Sequence, residues 1–484
     1  MRKVVLILGV PVDDLNMAEA LARLDDFIVT GRSTGRVHQV ATVNADFVVR
    51  SLDDPELRRI LQEADMATPD GMPLVWGARL LGVHLEGRVT GADLVPALAA
   101  LAAQKGYSLY LLGAAPGIAQ RAADILVSRN PGLKIAGVYS PPYHSLLDVD
   151  EAMLAAVKAA QPDVLLVAFG NPKQEKWIGM HARRLGVPVS IGVGGTLDMI
   201  AGLTRRAPLW MQRAGLEWLY RLLQEPRRLW RRYVTDLLRF GPFFLRQWWV
   251  MRRGGGPSPV LPLSAPLLVQ GTAILSVRGR LDVHNWPAFA ATVEEVWAQT
   301  PYLIVNLAEA AFLDSTAMGG LVALSKHARD LGGALRLAAV PPAIARVLAL
   351  MRLDRFFEVC QDVESALAAH RAAPEPAPPM QQGKWTVIRM PQRLDAATEP
   401  EMMAQCSAAL AASPHLVLDF TPTFFLASAG LAALVKLSRQ AREKGGELRI
   451  AGCSADCLRV IKLARLDGVL ALFADVRAAI ARAQ

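Results

Sequence analysis

Two stretches of this chain are copies of each other, and that repetition decides how the whole length can be divided. Ser315 aligns with Ser428 at an offset of 113 residues; the same offset sets GGALRLA from Gly332 on GGELRIA from Gly445, RLDV from Arg280 on RLDA from Arg393, and Leu353-Asp354 on Leu466-Asp467. Matches that hold one register over about a hundred residues mean duplication of a domain, not a solenoid repeat. Each copy alternates short apolar strands (YLIVNLA, HLVLDFT) with amphipathic helices (GGLVALSKHARDLGG, AGLAALVKLSRQAREKGG), the pattern of a small α/β layer fold. GGGPSPVLP from Gly254 and APEPAPPM from Ala373 can continue neither a helix nor a central strand, so they read as linkers at 254–262 and 372–383. The repeat domains then occupy 263–371 and 384–484, and 1–253 forms a separate first block.

That block splits at about residue 204. Up to there, strands VVLILGV, VHQVATV, SLYLLGA, DVLLVAF and VPVSIGV alternate with helical segments, which predicts a doubly wound, mainly parallel α/β core with its ligand site outside the carboxyl ends of the strands. Polar and glycine-rich residues gather at those ends: Thr42 and Asn44, Thr68-Pro69-Asp70-Gly71, Arg88-Val89-Thr90-Gly91, Gly113 with Pro116-Gly117, Gly170-Asn171-Pro172-Lys173-Gln174-Glu175, and Gly192 to Thr196 including Gly195. A phosphate-bearing ligand explains a sheet decorated along one edge. Each motif alone also has a plain structural reading: Asp70 as a turn or cap residue, Gln174, Lys173, Asn171 and Asp198 as loop polars, and LLGAAPG as an ordinary strand-to-helix turn without a Walker or dinucleotide ending.

From 205 to 253 the composition changes. Between Leu203 and Arg253 there are 12 arginines, no lysine and three acids (Glu217, Glu225, Asp236), so this stretch carries the whole formal charge of +9, together with 5 of the 10 tryptophans. Arginine and tryptophan on helix-forming sequence suit the boundary between water and anionic lipid, with guanidinium groups on phosphate and indoles half buried. Phe243, Phe244, Trp248 and Trp249 read as shallow anchors. Nucleic acid is the competing partner for such a stretch, but no nucleic-acid module accompanies it, so none is expected. The longest apolar runs, such as Leu94 to Ala103, are too short to span a bilayer, and the opening MRKVVLILGVPVDDLN reads as a first strand and not a signal peptide. All four cysteines lie beyond residue 350 and lack metal-site spacing, which fits a reducing cytoplasm. The expected location is cytoplasmic, peripheral on the inner face of the cell membrane.

The stretches TVNADFVV, ADMATPDGMPLVWGARLLG, RVTGADLVPAL, LYLLGAAPG, FGNPKQEKWI, IGVGGTLDMIAG and RRAPLWMQRAGLEWLYRLLQEPRRLWRRY together resemble the WecG/TagA/CpsF family of bacterial glycosyltransferases, from about Val4 to about Tyr233. The resemblance implies inverting transfer, without metal or other cofactor, of a sugar from a UDP-sugar to a polyprenyl-diphosphate-linked sugar. N-acetylmannosamine or its uronate is the expected donor sugar, glucose the alternative. It implies Asp70 as general base, with Thr42 and Asn44 lining the same pocket, Arg88 and Gln174 as donor contacts, and Gly113 and Gly195 in the substrate loops. Where the family commonly has Thr-Pro-Asn-Pro, this chain has Thr42-Val43-Asn44-Ala45. Asp13-Asp14, Asp53-Asp54 and the pair Asp148 and Asp150 are expected on surface turns, leaving no Asp-x-Asp to hold Mg²⁺ at a strand end. Arg221, Arg228 and Arg231, spaced seven and three apart, are expected to share one side of the appendage and meet the acceptor diphosphate, with a new helix starting at Pro226.

Both repeats resemble STAS domains. The resemblance implies a serine presented at a helix start for a partner kinase, Ser315 in LDSTAMGG and Ser428 in LASAGLAA, where Ala427 replaces the acid. The plainer reading makes both serines helix N-caps. Two functions remain: an active membrane-surface glycosyltransferase whose STAS pair tunes it through a protein partner, or a catalytically silent regulatory scaffold.

Overall fold

The computed structural model describes residues 3–141, 150–224, 226–253, 266–371 and 379–481. The first block opens with an antiparallel hairpin, β1 (Val4–Ile7) and β2 (Val10–Asp13), turned at Leu8-Gly9, where Gly9 has φ +85°. Consecutive positive φ values at Leu8 and Gly9 give the tight two-residue turn whose twist suits a hairpin. The chain continues through α1 (Met17–Thr34), β3 (His38–Val43), α2 (Ala45–Asp53), α3 (Pro55–Glu63), β4 (Met66–Pro69), α4 (Met72–Leu80), α5 (Gly91–Lys105), β5 (Ser108–Gly113), α6 (Ile118–Arg129), β6 (Lys134–Tyr139), α7 (Glu151–Ala160), β7 (Val164–Ala168), α8 (Lys173–Leu185), β8 (Val189–Gly192) and α9 (Thr196–Ile200).

Six strands form one all-parallel sheet in the order β4-β3-β8-β7-β5-β6, with crossovers on both faces. Alternation along each strand builds two cores. Val40 and Met66 face α1 and α5 with Leu24, Ile28, Leu94 and Leu98, while Ala41, Val43 and Ala67 face α2, α3 and α4 with Val48, Leu57 and Leu74. The expected doubly wound core is present, but VVLILGV is not one of its strands: it forms the hairpin, because a Leu-Gly turn folds it straight back on VPVD. Asp13 is likewise not on a surface turn. It is fully buried in β2, where it accepts from Arg23 at 2.7 Å and from the Ala67 amide at 2.6 Å. Asp54 caps α3 and Asp53 pairs with Arg239; Asp148 lies outside the described residues.

The appendage is α10 (Leu209–Arg213), α11 (Glu217–Gln224) and α12 (Pro226–Arg253), the last starting at the expected proline. The first repeat follows as β9 (Leu267–Val269), β10 (Thr272–Leu281), α13 (Trp286–Trp297), β11 (Tyr302–Leu313), α14 (Ser315–Asp330), β12 (Ala334–Ala338), α15 (Pro342–Leu350), β13 (Glu358–Cys360) and α16 (Val363–Arg371), with sheet order β13-β12-β11-β10-β9. Contact density divides the chain into two compact units, and this repeat belongs to the same unit as most of the first block.

The second repeat consists of β14 (Met380–Gln382), β15 (Trp385–Arg389), β16 (Arg393–Leu394), α17 (Glu399–Ala412), β17 (His415–Asp419), β18 (Phe425–Leu426), α18 (Ser428–Glu443), β19 (Glu447–Ala451), α19 (Ala455–Leu463), β20 (Ala471–Phe473) and α20 (Val476–Ala481). Its main sheet, β14-β15-β17-β19-β20, repeats the first copy's topology. The register shifts that bulge β10 against β11 become outright breaks here, leaving β16 and β18 as a separate pair. β14 begins inside the segment read as a linker, because Met380 to Gln382 pair with Trp385 to Val387. The N-cap expectation for the two serines is corrected. Asp314 caps α14, its carboxylate accepting from the Ala317 amide at 2.7 Å, and Ser315 is the buried first helical residue; in the second copy Ala427 holds the cap position with no side-chain bond.

Candidate active site

The carboxyl ends of β3, β4 and β8 and the start of α5 converge. Thr42, the last polar residue of β3, is buried and donates from Oγ1 to the Gly192 carbonyl at 3.1 Å, so it ties two strand ends together. Asn44 caps α2 by accepting from the Phe47 amide at 3.3 Å. Asp70 follows β4, its amide donating to the Val43 carbonyl at 2.7 Å, and Gly71 beside it takes φ +148°, which an L side chain rarely adopts. Gly91 opens α5 so close to the strand ends that an added Cβ would lie 2.9 Å from Thr196 Oγ1. The close approach brings the α5 amide into range of Asp70, whose carboxylate accepts from the Gly91 N–H.

Asp70 is the electrostatic centre. Burial pushes its carboxyl up to about 6, against Arg221 and Arg88, which favour the ionised form, while Glu217 and the Gly91 amide act in opposite directions. The two arginines come from different elements, one from the loop before α5 and one from α11. Arg88 pairs with Glu217 at 3.0 Å, and Glu217 also meets Arg206, which holds Asp93 in a two-point bridge at 2.5 and 2.7 Å. Glu217, met in the sequence only as one of three acids in a basic stretch, thus anchors the appendage to the strand-end loops. An isolated acid directly after Gly215-Leu216 is its signal in the sequence.

Gln174 does something other than expose an amide to a ligand. Its Oε1 accepts from the Gly170 and Gly194 amides at 3.1 and 3.0 Å, and its Nε2 donates to Glu175 at 3.1 Å, so it braces the Asn-Pro-Lys-Gln and Gly-Val-Gly-Gly loops against each other. Glu175 is fully buried; burial pushes its carboxyl up to about 7 although Gln174 and Gln39 both donate to it. Folding thus holds its proton more tightly than the unfolded chain does, so this group's stabilising contribution is full at low pH and is lost as pH rises through about 7. The melting temperature of the parent minus that of Glu175→Gln is expected to fall as pH is raised from 6 to 8.5, followed by circular dichroism; a constant difference would contradict the assignment.

Gly113 ends β5 at φ +101°, and Gly195 is the N-cap position of α9 just past β8, so both lie on the same sheet edge. Asn171 donates to Asp46 at 3.0 Å. The three arginines of the appendage lie on two helices. Arg221 on α11 is near enough to Asp70 to favour its ionised form, Arg231 on α12 is exposed with its guanidinium 6.0 Å from the Trp230 ring centre, and the Arg228 side chain lies outside the described residues. The break at Pro226 separates them. Among the described residues no three His, Cys, Asp or Glu side chains are grouped to hold a metal ion.

α12 carries two stripes. Leu229, Phe244 and Gln247 are buried against the block, with Phe240 and Phe244 stacked at 5.3 Å. Trp230, Val234, Leu237, Leu238, Leu245 and Trp249 are all exposed, Leu237 by 71% and Leu238 by 69%, and at 100° per residue they form a second stripe within about 120° of arc, with Arg227 inside it and Arg231 at its edge. No helix among the described residues is long and apolar enough to cross a membrane.

Residues 5–254 match the family model for Glycosyl transferase WecG/TagA/CpsF, and residues 267–366 and 378–479 each match the STAS domain. The chain is 34% identical over 198 residues to the N-acetylglucosaminyldiphosphoundecaprenol N-acetyl-beta-D-mannosaminyltransferase of Bacillus subtilis (strain 168), covering 40% of this chain and 75% of that protein. It is 29% identical over 226 residues to the enzyme of the same name from Staphylococcus aureus (strain MW2), covering 46% and 86%. Among solved structures, a putative anti-sigma factor antagonist from Thermotoga maritima aligns at 23% identity over 22% of this chain and 92% of that one, with a TM-score of 0.21.

Proposed function

Because the chain belongs to the WecG/TagA/CpsF glycosyltransferase family and carries two STAS domains behind its transferase block, we propose that it moves N-acetylmannosamine from a UDP-linked donor to a polyprenyl-diphosphate-linked N-acetylglucosamine at a membrane surface. The observation that carries this reading is the Asp70 carboxyl at the carboxyl edge of the sheet, just past β4, with Arg88 and Arg221 near enough to favour its ionised form. In a single displacement, Asp70 takes the proton of an acceptor hydroxyl as its oxygen bonds to the anomeric carbon, and the bond to the UDP oxygen breaks on the opposite face. Burial lifts the Asp70 carboxyl toward neutral pH, where a base is both free to accept a proton and basic enough to use it. Arg88 and Arg221 are the cations placed to meet diphosphate charge, and the starts of α2, α4 and α5 add backbone amides, which supports transfer without a divalent ion.

The exposed stripe on α12 is the membrane contact in this reading, peripheral and reversible. Each basic residue at an anionic surface adds ~1 kcal/mol, and the indoles seat at the headgroup boundary. Trp230, Leu237, Leu238 and Trp249 changed together to Ser are expected to abolish flotation with phosphatidylglycerol vesicles while leaving UDP binding intact. Retained flotation would remove α12 from this role. The STAS pair serves in this reading as the regulatory and partner-binding part. The whole proposal is tested by incubating the purified chain with UDP-N-acetylmannosamine, its uronate and UDP-glucose, each with a short-chain lipid-diphosphate-N-acetylglucosamine. Product mass gained only with the first is expected; no product with any donor would leave the silent-scaffold reading standing.

A further inference from the structure

We infer that the first STAS domain is a clasp built into the transferase, holding the membrane arm α12 in place through a hairpin that belongs to two hydrophobic cores at once. Along β1 the side chains alternate: Val5 and Ile7 pack in the transferase core, whereas Leu6 between them is fully buried in the core of the STAS domain. A two-stranded hairpin is marginal by itself, and this one is covered on both faces. Helix α14 lies directly on it. A Cβ at Gly319 would stand 3.2 Å from the Val4 carbonyl oxygen and 3.4 Å from the Leu6 nitrogen, and one at Gly9 would stand 2.3 Å from the Met351 carbonyl oxygen. Backbones this close leave no room for a tethered, independently tumbling domain.

The rim is charge-matched. Lys326 and Arg329 of α14 meet Asp65 and Glu63 of the transferase, Asp330 meets Arg36, and Arg59 stacks 4.4 Å over the Phe356 ring. Although burial raises the Asp65 carboxyl, Lys326 and His38 hold it well below the usual carboxylate range, so the Lys326 contact is a desolvated ion pair, not a surface one. The hairpin in turn grips the arm. Gln247 of α12, fully buried, accepts from the Leu8 amide at 2.9 Å and donates to the Leu6 carbonyl at 2.8 Å, while Met251, a turn further on, packs on the STAS core. Where α12 ends, a cleft of about 690 Å³ separates Trp248, Met251 and Arg252 from the Asp314-Ser315 turn that starts α14. One rigid element therefore connects the STAS helix to the arm, and a change at that turn reaches α12 by way of β1.

The inference rests on the proposed function only for its consequence in transfer, so the deciding readout is hydrogen exchange in the full chain. Lys326→Glu sets a carboxylate against Asp65 and is expected to raise amide exchange at residues 4–13 and 240–252 by tenfold or more, with Lys326→Arg near the parent. Gly319→Trp, a wedge between α14 and β1, is expected to do the same. Transfer to the lipid acceptor should drop at least tenfold in both, with UDP binding within twofold. If Lys326→Glu and Gly319→Trp leave residues 240–252 as protected as in the parent, the clasp is refuted, and equally so if STAS residues 273–313 lose protection while the arm keeps it. Loosened exchange with unchanged transfer would uphold the clasp and overturn α12's part in acceptor use.

Discussion

Asp70→Asn is expected to fold as the parent does and to lose transfer by ~10²–10⁴-fold, the range a positioned general base contributes. The substitution keeps shape but removes a carboxyl that burial lifts toward neutrality and that Arg221 and Arg88 act on. Folding is not at risk. A carboxyl whose folded value is raised to about 6 stabilises the fold when protonated and loses that contribution as pH climbs through 6, so a neutral amide should melt at or above the parent at pH 7.5. In the parent, the same shift makes kcat/KM fall on the acid side of about pH 6, and this limb should be absent from the residual activity of Asp70→Asn. Undiminished turnover, or the same limb in the variant, would take the base role away from Asp70.

The sequence carried the strand-end logic well, because a parallel sheet exposes its carboxyl ends as one edge and polar loops have to follow the strands in order. Thr42, Asn44, Asp70, Arg88 and Gly91 could be placed together for that reason, and they do meet. What it could not carry was pairing that depends on distance in space. Glu217 is 129 residues from Arg88 along the chain, and nothing local marks it as Arg88's partner. Gln174 sits in a polar loop and reads as a ligand contact, yet two glycine amides consume its carbonyl, a use visible only once both loops are in place. VVLILGV has the continuous apolar pattern of a central parallel strand, yet it forms the hairpin. That pattern means burial on both faces, and here a STAS domain buries the second face in place of sheet neighbours. Asp13 shows the same limit: two adjacent acids look like a turn, but strand alternation buries one of them against Arg23.

Separating Arg221 from Arg231 is expected to split two functions that their spacing had joined. Arg221 acts on Asp70, so Arg221→Ala removes a cation that favours the ionised base and leaves burial unopposed on that side. The acid limb of kcat/KM should move to higher pH, and transfer at pH 7.5 should fall by ~10²-fold or more as both base ionisation and diphosphate neutralisation weaken. Arg231 lies on α12, exposed beside Trp230. Arg231→Ala should leave the pH limb where it was and weaken vesicle binding by about fivefold, the equivalent of ~1 kcal/mol for one basic residue at an anionic surface. The two variants therefore differ in kind: one changes a pH profile measurable on a soluble short-chain acceptor, and the other changes only what depends on lipid. If Arg221→Ala left the limb unmoved, α11 would be acting on the acceptor alone, and the cations completing the site would have to come from Arg88 and the helix amides.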